Sequence, residues 1–101
     1  MSVERDSKFV SEVLSSDGKN LFFCDIGDML FHFRKDREKI KAVYVKDYGS
    51  GEWVEGKKAF YVLNKGIKTP MSWGIAAFAG QSGARNWGSP VDFGAAFTLI
   101  K

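Results

Sequence analysis

The stretch SKFVSEVLSSDGKNLFFCDIGDMLFHF, residues 7–33, changes from strand-like to helix-like patterning partway along its length. In its first part Phe9, Val10, Val13 and Leu14 stand among Ser11 and Glu12, and Ser15-Ser16-Asp17-Gly18 supplies turn chemistry before the apolar run at 20–23. That pattern predicts a β-hairpin. Asp25 then precedes Ile26, Met29, Leu30 and Phe33, which fall at i, i+3, i+4 and i+7. This is one apolar face at helical period, with an aspartate positioned to cap its first turn. The charged run at 34–39 ends the helix. Residues 40–48 follow as a strand, where Ala42, Val43, Tyr44 and Val45 make both faces apolar, as in a sheet interior. The first half therefore reads strand, strand, helix, strand.

The second half repeats this order less clearly. A turn at Tyr48-Gly49-Ser50-Gly51 leads into strands at 52–54 and 57–63, on either side of Gly56. Residues 67–71 read as a short extended piece, 81–87 as up to two helical turns stopped by Gly88, 91–93 as a short strand and 94–100 as a terminal helix. Ser89 capping a helix with Pro90 at its first position is the alternative for the last part. The expected fold class is α+β, with a mainly antiparallel sheet and any internal duplication one of topology rather than sequence.

Composition bounds the function. The chain has 101 residues, 45% apolar and 15% aromatic, which suits a small globular domain with a limited core. Fifteen basic and twelve acidic side chains give a net charge of +3, too small an excess to imply nucleic acid. Aromatic residues interleave with Lys41, Lys46, Lys57 and Lys58, yet no RNP-like or Gly-x-x-Gly motif accompanies them, so nucleic acid is not an expected partner. The sequence carries no nucleophile elbow, phosphate loop or His-rich zinc motif, and the expectation is that the protein is not an enzyme. The opening MSVERDSKFV lacks the apolar core of a signal peptide, and no apolar run approaches the roughly 18 residues of a membrane span. As written, the chain is expected to remain in the cytoplasm, as a monomer.

Chemistry concentrates at a few residues. Met71 follows Pro70, which restricts the backbone ahead of it, and its thioether suits a soft metal such as Cu(I). The competing reading is a methionine filling core space beside Trp73. Cys24, the single cysteine, excludes an intramolecular disulfide. It directly precedes the predicted helix, where the helix N-terminus would lower its pKa and favour a metal-binding thiolate; a small buried hydrophobe is the plainer reading. His32 lies on the helix flank, as a weak metal ligand or a half-exposed surface histidine. Met29 belongs to the apolar face, and Asp28 points away from it as a solvated residue, with a hard second-site ligand as the alternative.

The segments LFFCDIGDMLFHF (21–33), KAVYVKDYGSGEWVEGKKAFYVL (41–63) and TPMSWGIAAF (69–78) together resemble the NosL family, accessory lipoproteins of nitrous oxide reductase maturation in denitrification. The resemblance implies a compact protein of two similar strand-strand-helix-strand units, here a single domain over 1–101 with sub-units 1–48 and 49–101. It also implies a metallochaperone that holds Cu(I) and passes it to a recipient metalloenzyme or its assembly machinery. Met71 is then the main metal ligand. Family members carry a Cys-x-x-Cys-x-Met segment before the first strand, with a signal sequence and a lipid-attachment cysteine. Met1 stands about where the methionine of that segment would be, and both cysteines are missing. A start at an internal methionine and a short relative both fit this, and the coincidence at Met1 favours the first. Met1 would then be a second thioether donor, and the full-length protein would reside in the periplasm or cell envelope on its lipid anchor. The rival reading is a metal-free protein-interaction module of the same fold.

Overall fold

The computed structural model describes residues 8–100. From residue 8 to residue 33 it follows the sequence pattern closely. Strands β1 (Ser11–Ser15) and β2 (Asn20–Phe23) form an antiparallel hairpin, and helix α1 (Ile26–Phe33) follows with Asp25 as its N-cap. Ile26, Met29, Leu30 and Phe33 are all buried, so the i, i+3, i+4, i+7 face is the packed one. A single 3₁₀ turn, Arg37–Lys39, uses up the charged run and delivers the chain to β3 (Ile40–Lys46).

Strand β3 returns beside β1 and then pairs with β4 (Trp53–Glu55), giving an antiparallel sheet of order β2-β1-β3-β4. Here the expectation of two apolar faces fails. Val43 and Val45 point into the core, whereas Tyr44 pairs with Glu12 and Glu55 on the outer face and is 40% exposed. The physical reason is the alternation of side chains across a strand: α1 covers the inner face only, and the outer face meets water.

The second half builds a smaller version of the same unit. A 3₁₀ turn, Gly56–Lys58, precedes β5 (Phe60–Leu63), which pairs antiparallel with β6 (Ile75–Phe78). Helix α2 (Gln81–Arg85) begins three residues after β6, as α1 begins three residues after β2. The chain then returns at Val91, which makes an antiparallel bridge to Tyr61 on the far side of β5. The arrangement β6-β5-Val91 thus repeats β2-β1-β3, and the final strand of the unit is reduced to one bridge. Helix α3 (Phe93–Ala96) is capped by Asp92, not by Ser89, and is shorter than the expected 94–100 helix.

Residues 67–71 are not an extended piece. Ile67 is buried at the end of a turn and the chain reverses again at 69–72, while the strand comes later, at β6. Ile75-Ala76-Ala77-Phe78 is buried throughout, and its two alanines are small because the strand is covered on both sides; in sequence they signal no strand.

The two units share one core, in which α1, β1, β3, β5, β6 and α3 all contribute, from Val13 and Met29 to Tyr61, Ala77 and Phe97. A second cluster lies under α2, around Val62, Ile67, Phe78 and Ala84. Tyr61 is fully buried and donates its hydroxyl to the Gly56 carbonyl at 2.7 Å, and burial drives its pKa far above the ordinary tyrosine value. The seam between the sheets runs through Asp47, which forms a parallel bridge with Ala77 and accepts from the Ala79 and Ser50 amides. Among the described residues no helix is long and apolar enough to cross a membrane.

Candidate functional site

Three donors converge on Asp25, and they explain how Met71 is held. As the N-cap of α1, Asp25 accepts the Gly27 amide on Oδ1 at 3.1 Å. Its other oxygen, Oδ2, accepts the Thr69 hydroxyl at 2.6 Å and the Met71 amide at 2.9 Å. The side chain is fully buried, so these partners replace the water it gave up. One carboxylate thus joins the start of α1 to a turn 44 residues further along the chain.

The turn itself is compact. The Ser72 amide donates to the Thr69 carbonyl at 3.0 Å, with Pro70 in the second position, where its fixed φ suits a β-turn. Ser72 has φ 64° and Gly74 φ 72°, so two left-handed residues reverse the chain before β6. A side chain at Gly74 would also strike the Asn64 carbonyl oxygen at 2.9 Å. Thr69 Oγ1 accepts the Gly74 amide at 3.2 Å, closing the loop on itself.

Trp73 completes the docking. Its Nε1 donates to Asp28 Oδ1 at 2.8 Å, and its ring occupies the space beside Gly27, where a Cβ would lie 2.1 Å from the indole Cγ. Asp28 is therefore half-buried and bonded to the indole rather than simply solvated. Phe31, one turn further along α1, packs against the same indole with ring centroids 5.9 Å apart.

With the backbone fixed on both sides, the Met71 side chain points outward and is 51% exposed. It does not fill the core beside Trp73; the methionine that does fill the core is Met29, which is fully buried. Cys24 lies next to Asp25, so it and Met71 come to the same end of α1, and its side chain is half-buried. Its thiol pKa is raised, first by burial and then by the charges of Asp28 and Asp25, against the lowering expected from the helix N-terminus. His32 is seven residues beyond Asp25, about 10 Å along the axis at 1.5 Å per residue, and is not part of this cluster. It is exposed, packs on Phe23 and Phe33 at 5.3 and 4.8 Å, and borders a separate cleft with Lys19 and Lys39. Met1 lies outside the described residues.

Among the described residues no group of three or more His, Cys, Asp or Glu side chains is placed to hold a metal ion. The Met71 thioether and the Cys24 thiol both lie at this end of α1, and sulfur donors of this kind favour soft metal ions over oxygen-seeking ones such as Ca²⁺. Sequence reading singles out Met71 as a candidate and misses Asp25, the group that holds its turn. The one signal for Asp25 was indirect: capping uses one carboxylate oxygen, and a buried aspartate needs partners for the other.

Residues 1–91 match the family model described as NosL. The fold is similar to that in the crystal structure of the copper chaperone NosL from Shewanella denitrificans, with a TM-score of 0.72 at 18% identity, covering 93% of this chain and 92% of that one. No curated protein sequence matches the chain.

Proposed function

From a chain that belongs to the NosL family, we propose a copper-handling protein that takes Cu(I) as cargo on the Met71 thioether and releases it to a recipient by ligand exchange. The observation that carries this reading is the half-exposed Met71 on a turn whose backbone is tied to the buried Asp25. A neutral thioether prefers a soft, low-charge cation, and Cu(I) makes little geometric demand, so few protein donors suffice. Cys24 is the nearest further soft donor in sequence to that anchor. Its raised pKa keeps the thiol protonated at neutral pH until a cation displaces the proton.

The chain's residues do three things on this reading. Asp25 and Thr69 hold the turn, Met71 presents sulfur to solvent, and the exposed half of that side chain leaves room for an incoming sulfur ligand before the first bond breaks. The recipient belongs to nitrous oxide reductase maturation, in the cell envelope, as the family resemblance implies. No catalytic step is required.

The rival reading is a metal-free interaction module, favoured by Tyr44 and Trp53, 40% and 44% exposed on the outer sheet face. Titration of Cu(I) into wild type and Met71→Ala against a competing chelator separates the two. The carrier reading expects at least about tenfold weaker binding in the variant, near 1.4 kcal/mol. Equal binding by both proteins, or none by wild type, contradicts it.

A further inference from the structure

The surface around Met71 has a composition of its own. Phe31 is 45% exposed, and together with Met71 and the half-buried Trp73 it makes an apolar patch laid over the first two turns of α1. Cations stand near it. The Arg34 guanidinium sits 3.8 Å from the Phe31 ring centroid and donates to the Phe31 carbonyl at 2.7 Å, which fixes its charge at the patch edge. Lys65 and Lys68 line a hollow of about 100 Å³ whose wall includes Thr69 and Ser72, the two ends of the Met71 turn. The ion pairs among the described residues lie elsewhere, at Lys19–Asp17, Lys39–Asp36 and Lys58–Glu55. Two carboxylates stand beside it on α1, Asp25, which is buried and bonded in the interior, and Asp28, which accepts the Trp73 indole N–H.

We infer that this patch is the docking surface for the protein that receives the cargo, and that the recipient meets it with an apolar centre ringed by acidic side chains. The inference rests on the carrier reading in one respect: ligand exchange requires the acceptor's sulfur to reach Met71 while Met71 is still bonded, so the acceptor must cover the residues around it. The chemistry of those residues then fixes the chemistry of the partner. An apolar centre with a charged rim is the usual anatomy of a protein interface, and opposite rim charges set orientation and speed of encounter.

The test needs no metal. The probe is the peptide Ac-Asp-Glu-Met-Phe-Glu-Asp-NH₂, titrated into the ¹⁵N-labelled protein and followed by amide chemical shifts, with Ac-Lys-Lys-Met-Phe-Lys-Lys-NH₂ as its charge-reversed control. The acidic peptide should shift residues 31, 34, 65, 68, 71 and 73, more weakly as ionic strength rises from about 20 to about 200 mM. The surface double variant Lys65→Glu/Lys68→Glu should lose most of that binding, while Lys41→Glu, exposed on β3, should keep it. Equal response to both peptides, shifts centred elsewhere, no shifts at millimolar peptide, or undiminished binding by the 65/68 variant would each overturn the inference. Failure of Cu(I) binding in the chelator titration sinks the carrier reading instead, so the two failures are distinguishable.

Discussion

Asp25 does two jobs with one carboxylate, and its substitution tests both. With an amide in its place, one of the three donors, Gly27 N–H, Thr69 O–H or Met71 N–H, faces an NH₂ group that cannot accept it. Asp25→Asn should therefore cost about 1–3 kcal/mol of stability in urea unfolding, and hydrogen exchange at the Met71 amide should speed up. A loss below about 0.5 kcal/mol with unchanged exchange would contradict the latch. At the neighbouring position, the raised Cys24 pKa predicts slow alkylation at neutral pH, with a rate midpoint above that of an exposed cysteine in a peptide. Burial is the first cause and the charge of Asp28 the second, so Asp28→Asn should move the midpoint down. A midpoint at or below the peptide's would show that the helix N-terminus prevails after all.

At the scale of elements, the fit between α1 and the 69–74 loop depends on a missing side chain. Gly27→Ala would drive a methyl into the Trp73 ring, and overpacking of this kind costs about 1–3 kcal/mol. The expected outcome is a lower urea midpoint together with loss of the Trp73–Asp28 hydrogen bond, visible as a shifted indole N–H resonance; unchanged values of both would refute the contact. The same elements show what could be read in the sequence. The hairpin and α1 were legible because Ser15-Ser16-Asp17-Gly18 and Asp25 mark their ends with local chemistry, and the apolar period between those marks is unbroken. Strand β6 was not, because burial on both faces selected Ala76 and Ala77, which carry no strand signal. The last strand of the second unit was expected at 91–93 and is a single bridge at Val91, since α3 begins at Phe93. As a candidate only, Met71 was legible by its chemistry and its place after Pro70. Its attachment was not, because the anchor lies on another element and only folding brings Thr69 and Met71 to Asp25.

At the scale of the molecule, two copies of one topology are stitched at Asp47, between the end of β3 and β6. Burial alone would raise its pKa, but the Ala79 and Ser50 amides and the Ser50 hydroxyl outweigh it and the pKa is lowered. A carboxylate depressed in the folded state contributes stability that is present above its unfolded value and lost as pH falls through the folded one. Wild type should thus lose stability on acidification below about pH 4 more steeply than Asp47→Asn, and parallel acid profiles for the two proteins would contradict the seam. The central proposal, that the exposed Met71 thioether is presented to Cu(I), is tested most directly by the methionine methyl resonances. The chain has three methionines, of which Met29 is buried and Met71 exposed. With ¹³C-methyl methionine, one equivalent of Cu(I) under reducing conditions should shift the Met71 methyl and leave the Met29 methyl where it was. A Met71 methyl that does not move while Cu(I) is bound would contradict the account.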